Sequence, residues 1–188
     1  VPRHAPNRED EQVPFRGMRR IIAEGMARSY STAVHYTYVE PINVTKLVKL
    51  RKEAKSVAKE QGVSLSYLPF IVKAVCHALK KFPIVNATLD EQNARIVIKK
   101  RYHIGMAAAT PQGLMVPVIK DADQLSLLDI GREVARLGEA AKIGKVARDE
   151  LTGSTFTITS LGTIGGVLAT PIINFPEVGI LGVHAIRK

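Results

Sequence analysis

The chain of 188 residues predicts a mixed α/β (α+β) fold, an α+β or irregular α/β sandwich. Apolar residues recur at helical spacing over four stretches, short β-branched and aromatic runs lie between them, and the two kinds of segment do not alternate strictly. At this length about 70% of the surface of the unfolded chain can be buried, so one core is expected. No internal repeat or low-complexity tract divides the sequence.

Residues 1–14 carry three prolines and the charge cluster Arg8-Glu-Asp-Glu11, which predicts a linker or arm, with residues 15–188 as the core domain. From Arg16 to about Ala33, Met18, Ile21, Ile22, Met26 and Tyr30 follow helical spacing and predict an amphipathic helix. Residues 36–44 are rich in β-branched and aromatic side chains and predict a strand. Thr45 is placed to cap a helix bearing Leu47, Val48, Leu50, Ala54 and Val57, which should close near Gly62. Ser64 or Ser66 starts the next helix, with Leu68, Ile71, Val72, Val75, Leu79 and Phe82 on a broad apolar face, and Pro83 helps to end it.

Residues 87–89 and 96–98 predict short strands around the Asp90-Glu-Gln-Asn93 turn. Residues 102–109 and 114–119 predict a hairpin or neighbouring strands across Thr110-Pro-Gln-Gly113. A further helix spans residues 126–142, with Leu127, Ile130, Val134, Leu137 and Ala141 facing inward, and residues 148–153 turn the chain into two last strands.

The net charge of +10 calls for an anionic partner, yet the basic residues are interspersed with acids. Aromatic and basic residues are not interleaved as in RNA-recognition modules, and no zinc-ligand spacing occurs, so neither specific nucleic-acid binding nor a metal is expected. No apolar run reaches the ~20 residues that span a bilayer, so no membrane partner is expected. The N-terminus lacks the apolar core of a secretory signal. The single Cys76 lies in an apolar helical pattern that suits a buried, inert thiol.

The most informative stretch is Gly153-Ser-Thr-Phe-Thr-Ile-Thr-Ser-Leu-Gly-Thr-Ile-Gly-Gly166, followed by Pro171-Ile-Ile-Asn-Phe-Pro-Glu-Val-Gly-Ile-Leu-Gly182. With Gly17-Met-Arg-Arg-Ile-Ile-Ala-Glu-Gly-Met26, Leu65-Ser-Tyr-Leu-Pro-Phe70, Phe82-Pro-Ile-Val-Asn-Ala87 and residues 104–119, it closely resembles the catalytic domain of the dihydrolipoyl acyltransferases. These are the E2 components of 2-oxo acid dehydrogenase complexes. The resemblance implies the chloramphenicol acetyltransferase-like sandwich, a mixed sheet covered by helices, and a homotrimer built into a larger core, with the N-terminal arm packed on a neighbouring subunit. It also implies E1 and E3 partners reached through upstream domains, in the bacterial cytoplasm or the mitochondrial matrix.

The implied reaction moves an acyl group from dihydrolipoamide, carried on a lipoyl domain outside this chain, to coenzyme A. A base must deprotonate the incoming thiol and a donor must hold the oxygen of the tetrahedral intermediate. By resemblance Thr159 is that donor, and Arg51, Ser66, Ser160, Thr163 and Ile186 contact coenzyme A. The family pattern departs at Ala109, where an Asp is common, and at Gly138, where a polar contact residue is expected. The family's base lies in a C-terminal His-x-x-x-Asp-Gly motif. None of His4, His35, His77, His103 or His184 is followed by Asp-Gly at that spacing, so these residues alone are expected to be inactive. His103 and His184 are the substitute bases to test. A non-catalytic E2-like scaffold and a stand-alone coenzyme A-dependent acetyltransferase are the competing readings.

Overall fold

The structure, a computed structural model, describes residues 10–111, 113–160 and 168–187. Helices α1 (Met18–Thr32), α2 (Thr45–Glu60), α3 (Leu68–Lys81) and α4 (Leu127–Lys142) accompany seven strands. Strands β1 (Ala87–Asp90) and β2 (Arg95–Ile98) form a separate antiparallel hairpin. The main sheet is built on β3 (Ile104–Thr110) and β6 (Phe156–Ser160), which run parallel, with β7 (Ile180–Val183) parallel to β6 on its far edge. On the near edge β3 pairs antiparallel with β4 (Gly113–Met115) and β5 (Val118–Ile119), so the sheet is mixed. Val116 and Pro117 separate those two short strands, since proline has no N–H for the ladder.

Side chains alternate across a sheet, and this alternation divides the site from the core. Ile104 and Met106 of β3 and Phe156 and Ile158 of β6 face α3 and α4, where they pack with Val72, Val75, Leu79, Ile130 and Leu137. Cys76 is buried in the same cluster, and its burial pushes the thiol up to about 11, consistent with an inert core residue. Ala58, Val63 and Leu65 form a second cluster that ties α2 to the ends of α3 and α4. The helix over residues 126–142 starts as its sequence predicts, with Ser126 accepting a hydrogen bond from the Asp129 N–H at 3.1 Å.

Five expectations are corrected. Residues 36–44 form no strand: among the described residues nothing pairs with them, and Val34 (98% exposed), Tyr36 (90%) and Tyr38 (77%) stand in the open. The inward stripe of α1 is Met18, Ile22, Met26 and Ser29, while Ile21 and Tyr30 face outward. On that stripe Ile22 lies against Gly113, a residue at φ +127° whose Cβ would meet the Ile22 Cδ1 at 2.9 Å. Thr45 is the first residue of α2 rather than its cap: the Asn43 Oδ1 accepts from the Thr45 N–H at 3.0 Å. Leu50 and Val57 are exposed, and α2 buries only Ala58 with Leu47, Arg51 and Ala54 half-buried. Neither Ser64 nor Ser66 caps α3, whose entry is set by Tyr67 with Pro69 in its first turn.

Gly105 of β3 sits where the sheet is tightest. A Cβ there would meet Val116 Cγ1 at 2.8 Å, Thr157 Oγ1 at 2.9 Å and Ser154 Cβ at 3.3 Å, three groups on three segments. No single side-chain rotation relieves that overlap. Gly105→Ala should therefore cost about 1–3 kcal/mol of stability, read by urea denaturation. An unchanged midpoint would show that the sheet accommodates the methyl.

Candidate active site

The face of the sheet opposite the helices carries Gly105 and Ala107 of β3, Thr157 and Thr159 of β6 and Gly182 of β7, paired in register. Hydroxyls on the β6 segment divide by what they touch. The Thr155 Oγ1 accepts from the His103 N–H at 3.2 Å, and the Thr155 N–H donates to the His103 carbonyl at 2.8 Å. Thr157 donates to Glu177 Oε1 at 2.9 Å. Thr159, half-buried between Ala107 and Gly182, makes no side-chain hydrogen bond to any described residue.

Beside this strand lies a buried polar joint. Glu177, 4% exposed, accepts at Oε1 from Ser154 Oγ (2.5 Å), Thr157 Oγ1 (2.9 Å) and Asn174 Nδ2 (3.1 Å), and Asn174 also donates to Ser154 Oγ at 3.2 Å. Its Oε2 is buried and finds no partner among the described residues. Burial raises this carboxyl above the usual carboxylate range, with the three hydrogen bonds pulling the other way.

The segment 168–177, which leads into β7, is held from outside by α1. The Ser29 hydroxyl donates to the Ile173 carbonyl at 2.5 Å, and the Ile173 N–H donates to His35 Nε2 at 3.0 Å. His35 Nδ1 donates in turn to the Ala33 carbonyl at 2.8 Å, which fixes the neutral tautomer. A cis bond joins Phe175 and Pro176. A Cβ placed on Gly182 would lie 3.9 Å from Pro171 Cγ and 3.6 Å from His184 Nε2, so this strap passes close to the partner of Thr159.

His103 has a structural task. Its Nδ1 accepts from the Asp121 N–H at 2.9 Å, which leaves the ring proton on Nε2, and burial holds its pKa below the ordinary value. His184 follows β7, with its Nδ1 buried and without a partner among the described residues.

A family model for the 2-oxoacid dehydrogenases acyltransferase (catalytic domain) matches residues 7–188. The chain belongs to that family. It is 45% identical over 172 residues to the dihydrolipoyllysine-residue acetyltransferase component of the pyruvate dehydrogenase complex of Bacillus subtilis, covering 92% of this chain and 39% of that relative. It is 43% identical over 182 residues to the succinyltransferase component of the 2-oxoglutarate dehydrogenase complex of Cupriavidus necator, covering 96% of this chain and 43% of that protein. The chain thus spans less than half the length of these curated relatives. A solved structure of Azotobacter vinelandii dihydrolipoamide acetyltransferase superposes with TM-score 0.90 at 41% identity, over 97% of this chain and 77% of that one. The mixed sheet covered by helices is accordingly the acyltransferase catalytic-core fold expected from the sequence.

In this acyltransferase domain the predicted residues fall on two places. Arg51 and Ser66 meet where α2 leads into α3: Arg51 Nε donates to the Leu65 carbonyl at 3.0 Å, and the guanidinium lies 4.5 Å from the Tyr67 ring centroid. Ser66 is exposed beside them. Thr159 and Ser160 share the end of β6, and Ile186, half-exposed, follows β7 on the adjacent edge. Thr163, with Gly162, Gly165 and Gly166, lies outside the described residues. Sequence reasoning missed Glu177, Asn174, Ser29 and His35. The signal for Glu177 was available: a lone acid inside Phe175-Pro-Glu-Val-Gly-Ile-Leu181 has to find partners, and a hydroxyl-rich strand precedes it. Among the described residues no group of three or more His, Cys, Asp or Glu could hold a metal, and no helix is long and apolar enough to cross a membrane.

Because the folded-state pKa of Glu177 is raised, its neutral form contributes stability that is present below the unfolded value and is lost as pH rises through the folded one. Relative to Glu177→Gln, which cannot ionise, the parent chain should therefore lose stability as pH rises from acid toward neutral. Urea denaturation of both proteins over a pH series reads this. A gap that stays constant with pH would show that Glu177 does not titrate differently in the two states.

Proposed function

We propose that this chain is the acyltransferase core of a 2-oxo acid dehydrogenase complex, transferring an acyl group between dihydrolipoamide and coenzyme A. The observation that carries the reading is the hydroxyl of Thr159. The two preceding threonines on its face of the strand are committed to structural hydrogen bonds, and this one is not, among the described residues. A strand threonine with a purely structural task would bond its neighbours as Thr155 and Thr157 do.

In the forward direction the thiol of coenzyme A attacks the thioester carbon and gives up its proton to the base. The tetrahedral intermediate then collapses, the C–S bond to dihydrolipoamide breaks, and that sulfur takes a proton. Thr159 donates its hydroxyl hydrogen to the oxygen that becomes negative between those steps. By resemblance the base is the histidine of a His-x-x-x-Asp-Gly motif, and none of the five histidines in these 188 residues stands in such a motif. The acetyl- and succinyltransferase relatives stand nearly equally close, and the proposal is for the transfer chemistry that both share.

Arg51 is the group proposed for a phosphate of coenzyme A. Its Nε is already anchored and its face stacked on Tyr67, while its remaining nitrogens make no hydrogen bond among the described residues. A guanidinium fixed in this way offers its fork to a phosphate at little further entropic cost. Assembly with further copies is supported by the bare aromatic segment at Tyr36 and Tyr38, and by relatives that are components of multienzyme complexes. The bacterial origin of these relatives favours the bacterial cytoplasm over the mitochondrial matrix, with residues 1–14 linking to upstream domains.

In the full-length protein, Thr159→Ala should lower kcat for acetyl transfer between acetyl-coenzyme A and dihydrolipoamide about 10²–10³-fold with KM little changed. Wild-type kcat in that variant would remove Thr159 from the reaction, and a parent protein with no transferase activity would favour the scaffold reading. Arg51→Met should instead raise KM for coenzyme A about tenfold or more while sparing kcat, the loss expected of a charged hydrogen bond. An unchanged KM would assign Arg51 to structure alone.

A further inference from the structure

We propose that Glu177 is a positioning residue for acyl transfer, clamping β6 to the strap before β7 so that the Thr159 hydroxyl is held where the oxyanion forms. The inference rests on the reading of Thr159 as the oxyanion donor and goes beyond it to a second residue.

The Glu177 carboxyl joins three segments at a single oxygen. Ser154 belongs to the approach to β6, Thr157 to β6 itself and Asn174 to the strap, and all three donate to Oε1. Asn174 closes the ring by donating to Ser154 as well. One residue back, Ile173 is tied to Ser29 and His35, so the strap is pinned on both sides of Asn174. Thr157 and Thr159 lie on one face of β6 two residues apart, about 6–7 Å along the strand. Gly182, the β7 partner of Thr159, is reached from Glu177 in five residues of chain. Freeing Glu177 would therefore release β6, the strap and the run into β7 together, at the level of the Thr159 hydroxyl.

The chemistry of the joint also says which side chain can replace it. Oε2 is buried and unpartnered among the described residues, and the groups that bond Oε1 are all neutral. An ionised carboxylate there would keep a charge out of water without a cation to face it, which costs several kcal/mol. What the joint needs is one oxygen that accepts three hydrogen bonds, and the amide oxygen of glutamine supplies it in the same place, with the NH2 replacing the unpartnered O–H of the neutral carboxyl. Aspartate is one methylene too short to reach both Thr157 and Asn174, and alanine strands the buried Thr157 hydroxyl and takes an acceptor from the half-buried Ser154 and Asn174.

The test is a double-mutant cycle on kcat in the full-length protein, between Glu177→Ala and Thr159→Ala, with Glu177→Gln as the rescue. Glu177→Ala should lower kcat about tenfold or more with KM for coenzyme A nearly unchanged, as expected for a misplaced transition-state donor. Glu177→Gln should stay within about twofold of the parent, and Glu177→Ala should cost less than about twofold once Thr159 is already alanine. The proposal is overturned if Glu177→Ala costs the same factor in both backgrounds, if it acts on KM alone, or if Glu177→Gln is as impaired as Glu177→Ala. Should Glu177→Ala fail to fold, Thr157→Val runs the same cycle with a milder lesion. The failures are distinguishable: if Thr159→Ala alone leaves kcat intact, the donor reading falls, and if it lowers kcat without coupling to Glu177, only the positioning role falls.

Discussion

Strand β6 is held by parallel neighbours on both edges, and the chemistry proposed for this domain depends on the register that results. Parallel pairs cannot be set by a tight turn, because each needs a crossover long enough to bring the chain back to the same end of the sheet. From β3 to β6 the crossover runs through α4, and from β6 to β7 it runs through the strap. Register must then come from side chains. Thr155 locks the first edge to His103, and Glu177 locks the second by gripping Thr157 from the strap. A slip of one residue at either edge would turn Thr159 to the helix side and put Ile158 on the open face.

The two faces of β6 are built by opposite rules. Toward the helices, Phe156 and Ile158 are packed against Val72, Val75 and Ile130, where shape is what matters. Toward the strap the same strand presents hydroxyls, and each buried one needs a partner. The glycines opposite them leave room for this: at Gly105 the place of a Cβ is taken by Thr157 and Val116, and Gly182 leaves space between Pro171 and His184. Polar commitment thins out along the strand from Thr155 to Thr159, so rigidity at one end supports a hydroxyl at the other that has no side-chain hydrogen bond among the described residues.

Much of this was legible from sequence. The α4 face of Ile130, Leu137 and Ala141, its start near Ser126 and the short strands β1 and β2 around their turn follow from periodicity and turn chemistry, which are local. What failed were statements that needed a partner. Residues 36–44 have strand propensity, but a strand is defined by a neighbour, and none is described beside them. The stripe of α1 was misjudged at Ile21 and Tyr30 because hydrophobicity does not say which side another element occupies, and the side proved to be that of Gly113. Arg51, Ser66 and Thr159 came from resemblance, since an arginine on a basic helix and a threonine in a strand have ordinary explanations. Glu177 was within reach of physical reasoning alone, because an acid in an apolar run must be solvated or satisfied by donors. Sequence could not say that those donors are Ser154, Thr157 and Asn174.

The net charge of +10 takes on a narrower meaning once Arg51 is seen in place. Lys46, Lys49, Lys52, Lys55 and Lys59 of α2 are exposed and carry charge on flexible stems. Such charges raise the local concentration of a polyanion and speed its arrival, an effect that salt screens over a Debye length of about 8 Å at physiological ionic strength. Arg51, on the same helix, is half-buried, bonded to the Leu65 carbonyl and laid on Tyr67, so its orientation is settled before any ligand comes. The lysines supply attraction without geometry and Arg51 supplies geometry. Salt should therefore weaken the attraction of the lysines for a polyanion far more than the contacts that orient Arg51. An arginine that looks like one basic residue among the six of α2 is set apart in the structure by the two contacts that hold it still.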